Sequence, residues 1–381
     1  MILKRFTLIF SLLLVLSTAI SITAQETSED LNFALTFVPN IQFSPLYVAQ
    51  EQGYFEEVGL NPIVDYLDEN VIVDLIAANE LQFGVVSGEQ VILARSGGRP
   101  AVYVYEWFQQ FPVGIVIPDT TDASTVADLQ GLSVGVPGPF GATYSGLTAL
   151  LAANGMNESD IQMESIGFTA PDFVCAGRVD AATVYSNNEP LQIQQRADAG
   201  ECGDIASVTV IPVAGSVDLV SNGIITNETT IAENPQLIQA VVSAFDRGLR
   251  DAINNPAQAY LISLDYVEGL PINDALQAAL EGASEVQQAF LETEPDHEAI
   301  TASNEALFAE LSNEFPPEDL IQFQVLLATI DLWQAEVLGM TDPASWETTS
   351  DLLVEMGLLT GDVDLAIAYT NDFVPAMMSE D

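Results

Sequence analysis

The segment at residues 31–64, LNFALTFVPNIQFSPLYVAQEQGYFEEVGLNPIV, constrains the fold of this chain more than any other. Leu31, Phe33, Leu35 and Phe37 alternate along its first seven residues, which predicts a buried strand. A Pro-Asn pair then ends the pattern, so a loop follows the strand. A helix is expected next, because Ser44 suits its N-cap and Pro45 suits its first position.

This arrangement brings polar and aromatic side chains to one place. The loop carries Asn40, Phe43 and Tyr47 to the carboxyl end of a strand and the N-terminus of a helix, where open α/β sheets bind ligands. Strands and helices continue to alternate through the first half of the chain. That alternation predicts an α/β protein built from βαβ units with mostly parallel sheets.

The pattern along the chain predicts two domains. Further strands are expected at residues 63–67, 81–86, 101–107, 132–136, 162–166, 180–185 and 208–211. Helices are expected at residues 235–254, 256–266, 272–291, 319–338 and 345–356, and His297 at an exposed helix start. Two apolar runs, 111–118 and 219–227, are long enough to cross between domains. We therefore assign residues 26–115 plus 221–381 to domain I and 116–220 to domain II, with a cleft between them.

The helix of the opening segment and its exit, PLYVAQEQGYFEEVGL, resemble the first unit of ABC-importer substrate-binding proteins. The branch is the one that handles thiamine pyrimidines, riboflavin, alkanesulfonates and nitrate, and the resemblance runs from about residue 31 to the C-terminus. It implies the type II periplasmic-binding-protein fold, in which two lobes enclose a ligand cleft and the C-terminal part is helical. It also implies a monomer that closes over a small molecule and is recognised by an ABC permease in the membrane.

The first residues predict export. Lys4 and Arg5 precede an apolar run at 6–20, and Ala24 suits a signal-peptide cleavage site, so residues 1–24 are interpreted as a secretory signal. An uncleaved membrane anchor is the alternative. No Cys lies near Ala24, so we expect no lipid-anchored Cys. The predicted location is the periplasm or the outer face of the cytoplasmic membrane.

The charge balance is extreme, with 8 Lys and Arg against 55 Asp and Glu and a formal net charge of −47. Such a chain repels nucleic acid and anionic membrane surfaces, which excludes both as partners. We attribute the acidity to a saline or acidic exterior, and a cation-concentrating function is the alternative.

Two cysteines, Cys175 and Cys202, suggest one disulfide in an exported protein. Such a bond would contribute roughly 3–4 kcal/mol on the chain-entropy argument. Two separate buried thiols are the alternative. Two Cys and one His do not suffice for a zinc site of normal ligand count, so no metal is expected.

The sequence argues against catalysis. His297 is the single histidine and lies in the acidic run ETEPDHEAI, away from the loops that build the cleft, so no Ser-His or Cys-His nucleophile is expected. A fungal relative of this fold makes thiamine pyrimidine with its own His and clustered Cys, which have no counterpart here. We expect neither enzyme activity nor a cofactor. A secreted carboxylate-dependent hydrolase and a sensor or adhesion module are the alternatives.

The loops at the strand ends carry the candidate ligand-binding residues. Aromatic faces suit a flat ring, and amides, hydroxyls and carboxylates fix its edges. The candidates are Asn40, Phe43, Tyr47, Ser87, Glu89, Trp107, Phe108, Gln109, Phe140, Tyr144, Tyr185, Asn187, Asn188 and Glu189. A shared Phe-x-x-x-Tyr spacing at 43–47 and 140–144 suggests that the two lobes present equivalent positions to one cleft.

The positions of the cations indicate the class of ligand. None of the six Arg residues after residue 24 lies on these loops, and an anion site without a local cation is disfavoured in so acidic a protein. We therefore expect a neutral or weakly cationic aromatic heterocycle, either riboflavin or a thiamine-pyrimidine precursor. The number of aromatic residues favours the larger, flavin-like ligand. A small sulfonate or nitrate held by helix N-termini is the alternative.

Overall fold

The computed structural model describes residues 28–359 and 363–375, and the predicted secretory signal lies outside them. Within these ranges the chain forms two five-stranded sheets. The strands in chain order are β1 Glu29–Leu35, β2 Leu60–Tyr66, β3 Phe83–Ser87, β4 Ala101–Glu106, β5 Val113–Pro118, β6 Ser133–Val136, β7 Gln162–Ser165, β8 Ala181–Tyr185, β9 Val208–Pro212 and β10 Asn222–Asn227.

The two sheets have equivalent strand orders, β2-β1-β3-β10-β4 and β7-β6-β8-β5-β9. In the first sheet β10 is antiparallel to both neighbours, and in the second sheet β5 is antiparallel to both of its neighbours. The other four strands of each sheet run in one direction, which confirms the expected mostly parallel sheets. We call the first sheet with its helices the first lobe and the second sheet with its helices the second lobe.

The two antiparallel strands are those by which the chain changes lobes. The chain leaves the first sheet after β4, enters the second at β5, and returns from β9 to β10. The other strands end at the edge that faces the opposite lobe, whereas a crossing strand begins at that edge and must run the other way. The predicted boundary between residues 115 and 116 falls within β5. The division at 115/116 and 220/221 stays a prediction.

Helices cover both sheets, and the part of the chain after β10 is almost entirely helical. The helices in chain order are α1 Ser44–Glu51, α2 Glu69–Ala77, α3 Gly88–Ser96, α4 Gly141–Ala153, α5 Ala170–Cys175, α6 Glu189–Asp198, α7 Glu228–Glu233, α8 Pro235–Asn254, α9 Pro256–Ser263, α10 Asp274–Leu291, α11 His297–Glu314, α12 Pro317–Trp333 and α13 Pro343–Glu355. Short 3₁₀ turns lie at Ile41–Phe43, Glu56–Val58, Val126–Leu129, Glu158–Asp160 and Leu365–Ile367.

Helix α8 holds the first lobe together by packing along α1. Its apolar face buries Ile238, Val241 and Phe245 in the same core as the strands of the first sheet. Gly248 permits the close approach of the two helices, because a Cβ there would collide with the carbonyl oxygen of Pro45. The opening segment is thereby fixed against the C-terminal helices, although the two are nearly 200 residues apart in sequence.

The start of α1 differs from the expectation. Ser44 is the first helical residue rather than the cap, and its hydroxyl has no partner among the described residues. Phe43 occupies the N-cap position instead. Asn40 caps the preceding 3₁₀ turn, its side-chain oxygen accepting from the Gln42 N–H at 3.0 Å. The prediction missed this extra turn, which moves the helix start by one residue.

In the second lobe Cys175 and Cys202 form a disulfide that joins the end of α5 to the segment after α6. Cys202 is buried in an apolar cluster with Val174, Val184 and Ile193. In the part of the chain that the structure describes, no helix has the length and apolar character needed to cross a membrane.

Candidate ligand-binding site

A cavity of about 850 Å³, including its mouth, lies between the two lobes. The first lobe and the crossing after β4 contribute residues that lie mainly in the loops between strands and helices; they are Thr36, Phe37, Gln42, Phe43, Asp68, Glu69, Val85, Trp107, Phe108 and Asn222. The second lobe contributes Pro137, Phe140, Gly141, Ala142, Thr143, Gly167, Phe168, Ala170, Thr183, Tyr185 and Glu189. A cleft between two lobes, next to the carboxyl ends of strands, is where α/β proteins bind small molecules.

Four aromatic side chains form one continuous wall of the cavity. Trp107 lies 5.8 Å from Phe43 and 5.6 Å from Phe108, measured between ring centroids. Phe108 meets Tyr185 edge to face at 6.5 Å, so the wall extends from the first lobe to the second. Behind it Trp107 packs against Phe245 and is fully buried, so the rings are held in fixed positions. Such a surface is suited to the face of a flat ring.

Phe43 and Phe140 occupy equivalent positions in the two lobes. Each is the N-cap residue of the helix that follows the second strand in its sheet order, α1 after β1 and α4 after β6. Both line the cavity. The tyrosines one turn further along each helix do not line it, so the Phe-x-x-x-Tyr pattern contains one cavity residue per lobe.

The lobes touch across the cavity. Phe37 of the first lobe and Phe168 of the second meet edge to face at 4.8 Å. The Asn187 amide of the second lobe donates to the Gln42 side-chain oxygen at 3.0 Å and to the Thr329 hydroxyl at 2.7 Å. Tyr185 donates its hydroxyl proton to the Asn222 side-chain oxygen at 3.2 Å. These contacts describe a closed arrangement of the two lobes.

Carboxyl groups line the cavity from both lobes. Glu189 begins α6 and accepts from the Tyr185 backbone N–H at 3.0 Å, and burial raises its pKa to about 7. Glu69 begins α2, and its side chain accepts weakly, at 3.4 Å, from the Ala142 N–H at the start of α4 in the other lobe. Burial raises the pKa of Glu69 as well. These groups can accept hydrogen bonds from a ligand, or donate once protonated.

Ser87 links Glu69 to a second buried carboxyl group. Its hydroxyl oxygen lies 2.7 Å from a Glu69 oxygen and 2.5 Å from a Glu89 oxygen. A serine hydroxyl has a single proton to donate, so one of these two contacts requires a protonated carboxyl group as the donor. Burial and the nearby Glu69 charge raise the pKa of Glu89 to about 7, which agrees with a shared extra proton.

The arginines lie outside the cavity. Arg95, Arg99, Arg196, Arg247 and Arg250 form ion pairs with nearby carboxylates. The remaining one, Arg178, lies over the ring of Phe173 at 5.4 Å. Among the described residues no Arg or Lys side chain lines the cavity, and the charged groups that do line it are acidic.

Six of the predicted ligand-binding residues line the cavity: Phe43, Trp107, Phe108, Phe140, Tyr185 and Glu189. The other eight lie elsewhere. Ser87 and Asn187 are buried and bind Glu69 and Gln42, which line the cavity, whereas Glu89 is buried and binds Ser87. Asn40 caps the 3₁₀ turn before α1, and Asn188 accepts from the Gln192 amide at 2.6 Å.

Three of these eight have partners that explain their position. Tyr47 stacks on Tyr266 at 4.4 Å inside the first lobe, and its hydroxyl lies 2.6 Å from that of Tyr66. Tyr144 points to the surface of α4, where its hydroxyl donates to Glu158 at 2.5 Å. Gln109 donates to the Glu106 carbonyl oxygen at 2.8 Å and lines a separate depression near the crossings.

Several cavity residues were not predicted. Glu69 begins a helix directly after a strand, so the strand-end rule that selected Glu89 and Glu189 could have found it. Phe37 has a left-handed backbone with φ of 73°, which a strand pattern does not reveal. Thr183 lies within β8 and Asn222 begins the returning strand β10, and neither has a local sequence signal.

Metal binding has no structural counterpart in residues 28–359 and 363–375. No group of three or more His, Cys, Asp or Glu side chains there is arranged to hold an ion. His297 is exposed at the first position of α11, and its ring contacts the Gln334 amide oxygen at 2.8 Å.

Comparison with known proteins places the chain in a family. A riboflavin-binding protein, RibY, of Chloroflexus aurantiacus is 32% identical over 92% of this chain and 88% of its own length. A formylaminopyrimidine-binding protein of Halalkalibacterium halodurans is 28% identical over 63% of this chain and 71% of its own length. The solved structure of the alkanesulfonate-binding protein SsuA from Xanthomonas axonopodis pv. citri bound to MOPS superposes with a TM-score of 0.59 at 14% identity.

The SsuA superposition covers 90% of this chain and 98% of that protein, which confirms the two-lobed periplasmic-binding-protein fold. The family described as NMT1/THI5 like matches residues 40–259, from the loop before α1 to α9. That range contains the strands of the second lobe, both crossings and most of the cavity wall. On the sequence match and the fold together, the chain belongs to the NMT1/THI5-like family.

Proposed function

We propose that this protein is the solute-binding component of an ABC importer and closes its two lobes over a flat aromatic heterocycle. Riboflavin is the first candidate and a thiamine-pyrimidine precursor the second. The observation that carries the proposal is the continuous aromatic wall of the interlobe cavity, from Phe43 through Trp107 and Phe108 to Tyr185.

The relatives support this class of ligand. The relative that is 32% identical over nearly the whole chain is named for riboflavin, and a second relative is named for a formylaminopyrimidine. Both names denote flat nitrogen heterocycles.

Charge argues against a sulfonate or nitrate ligand. An anion in this cavity would be buried without a neighbouring cation, which is costly where water is excluded. Asp68 would repel it, and Glu69 and Glu189 would do so whenever they are ionised. The N-terminus of α4 could offset part of this cost, but Glu69 already accepts a hydrogen bond there. The resemblance to an alkanesulfonate-binding structure at 14% identity concerns the fold.

Binding without turnover fits the carboxyl groups of the cavity. A hydrolase of the carboxylate-pair type needs one group to deliver a proton and another to activate water or attack. Here Glu69 is held by Ser87 and Ala142, and Glu189 by the backbone of its own loop. We propose that these groups orient the ligand. Formation of a product from a bound heterocycle would favour the hydrolase alternative.

The proposal includes a partner and a location. Closure brings residues of both lobes to one surface, and a membrane permease can distinguish that surface from the open form. We propose that the protein acts as a monomer outside the cytoplasmic membrane and delivers its ligand to such a permease.

A thermal-shift and titration panel tests the proposal. The panel contains riboflavin, 4-amino-5-hydroxymethyl-2-methylpyrimidine, formylaminopyrimidine, thiamine, taurine and nitrate, in moderate and high salt. A ligand at about 100 times its Kd stabilises the folded state by about 2.7 kcal/mol, so a flat heterocycle should raise the unfolding midpoint. Quenching of riboflavin fluorescence should accompany binding, because the isoalloxazine ring would lie against Trp107. A shift with taurine or nitrate alone would refute the heterocycle assignment.

A further inference from the structure

Three residues of the cavity wall have a buried polar side-chain atom without a hydrogen-bond partner, namely Trp107 at its indole nitrogen, Thr183 and Asn222. The Thr183 hydroxyl and the side-chain nitrogen of Asn222 both line the cavity, and their residues are 1% and 2% exposed. Neither atom has a partner within hydrogen-bond distance among the described residues, although the Asn222 side chain is near enough to Glu69 to offset part of the rise in pKa that burial causes in that carboxyl group. Buried polar groups in native proteins are almost always paired, so each unpaired group needs an explanation.

The surrounding structure fixes both groups. Thr183 lies in the middle of β8, paired with Ile115 of β5, so its hydroxyl can rotate but not leave the wall. The Asn222 side-chain oxygen accepts from the Tyr185 hydroxyl, which leaves its N–H groups, near Glu69, without an acceptor at hydrogen-bond distance. The Asn222 carbonyl oxygen also accepts from the Trp107 and Phe108 N–H groups at 3.1 and 3.0 Å. Asn222 is therefore tied to the aromatic wall by its backbone and to the second lobe by its side chain.

Thr226 shows that a buried hydroxyl can lack a partner without being next to the cavity. Thr226 lies in the same strand as Asn222, is fully buried, and also has an unpaired hydroxyl, but it does not line the cavity. A missing partner alone therefore does not identify a binding residue. Thr183 and Asn222 combine a missing partner with a position next to space that a small molecule can fill.

We infer that Thr183 and Asn222 recognise the ligand by donating hydrogen bonds to acceptors on its ring system, such as carbonyl oxygens or unprotonated ring nitrogens. The inference rests on the proposed function and narrows it. The ligand is a flat heterocycle with at least two such acceptors, placed against the aromatic wall. One donor comes from each lobe, so both bonds form together when the lobes are closed.

The division of roles within the site follows from this arrangement. The rings of Phe43, Trp107 and Phe108 bind a flat ring of any composition, whereas Thr183 and Asn222 distinguish ring edges. A site built to donate to a particular atom rejects an analogue that lacks it, because the donor is then left buried and unpaired.

A matched pair of isosteric variants tests the inference. Thr183→Val replaces the hydroxyl by a methyl group of similar shape, and Thr226→Val makes the same change outside the cavity. With riboflavin as the probe, Thr183→Val should raise Kd about tenfold, the loss expected for one neutral hydrogen bond. Thr226→Val should leave Kd unchanged. Both variants should keep or raise the unfolding midpoint without ligand, because each removes an unpaired buried hydroxyl.

A second variant covers the other donor. Asn222→Ala should also weaken riboflavin binding about tenfold, and Thr226→Val, in the same strand but outside the cavity, serves again as the control. Equal Kd values for wild type, Thr183→Val and Asn222→Ala would overturn the inference while the proposed function stands. Failure of the wild type to bind any heterocycle of the panel would overturn both.

Discussion

At the scale of single residues, the buried carboxyl groups define the behaviour of this protein with pH. Glu89, Glu106 and Glu189 each have a pKa raised to about 7, primarily because burial disfavours the charged form. Their ordinary value is 4.5, so over the interval between these values the folded state binds more protons than the unfolded state. The contribution of these groups to the free energy of unfolding is therefore complete below pH 4.5 and is lost as pH rises through about 7.

We therefore predict that the unliganded protein is more stable at about pH 5 than at about pH 8. High salt should preserve this difference, because salt screens exposed charges and leaves buried groups largely unaffected. Denaturant unfolding at the two pH values measures it. A stability that rises from pH 5 to pH 8 would contradict the prediction.

The variant Glu89→Gln assigns part of this effect to one group. At about pH 8 it should be more stable than wild type by about 2 kcal/mol, because an amide is buried in place of a charge. At about pH 5 the two proteins should unfold alike, since Glu89 is then protonated. Glu285→Gln, which changes an exposed carboxyl group, is the control. Its stability should match that of wild type at both pH values.

The individual site residues could be predicted only where chain direction decides their position. Phe43, Trp107 and Glu189 follow strand ends, and all three line the cavity. Tyr47 and Tyr144 belong to the same loops and helices, but each is a turn beyond the N-cap and points away. Thr183 lies within a strand, and no local sequence pattern distinguishes it from other strand residues. It lines the cavity only because of how the two lobes are arranged, which is a matter of tertiary structure.

At the scale of elements, the predictions succeeded where a local pattern was strong. Helix α8 has the predicted bounds, because Pro235 and Asn254 mark its ends and its apolar face is continuous. For helix α11 only the start at His297 was predicted. Just two of its eighteen residues, Asn304 and Leu311, are buried. Its helical pattern is therefore weak, and packing against its neighbours rather than a marked apolar stripe accounts for its place.

The disulfide between Cys175 and Cys202 gives a prediction at the same scale. The bond closes a loop between residues 27 apart, which includes α6 and Glu189. The double variant Cys175→Ala/Cys202→Ala should lose roughly 3–4 kcal/mol of unfolding free energy. A reducing agent should destabilise wild type under denaturing conditions and leave the double variant unchanged. Equal stability of the double variant and wild type with its disulfide intact would contradict this account.

At the scale of the whole molecule, the two lobes were predictable and their closure was not. Two apolar crossing segments in the sequence predict two domains, and the structure has two equivalent sheets joined by two crossings. The contacts between lobes, such as Phe37 with Phe168, involve residues from distant parts of the chain whose meeting depends on the angle between lobes. No local pattern contains that angle.

The ring contact between the lobes gives the last prediction. Phe168 is 44% exposed and touches Phe37 of the other lobe, so Phe168→Ala should leave the unfolding midpoint without ligand unchanged. Loss of the aromatic pair should destabilise the closed form and weaken riboflavin binding about fivefold. Small-angle scattering should show a larger radius of gyration for the variant than for wild type at the same subsaturating riboflavin concentration. Val286→Ala, at a site that is 70% exposed, is the control.

The position of this contact relative to the crossings has a mechanical consequence. Phe37 follows β1, two strands from the crossing strand β10, and Phe168 follows β7, three strands from β5. At strand spacings of about 4.8 Å, the two rings lie about 10–14 Å from the segments that join the lobes. With that lever arm, a rotation of about 10° separates the rings by about 2 Å, enough to break their contact. The far rim of the site therefore responds to the smallest opening, while the wall next to the crossings hardly moves.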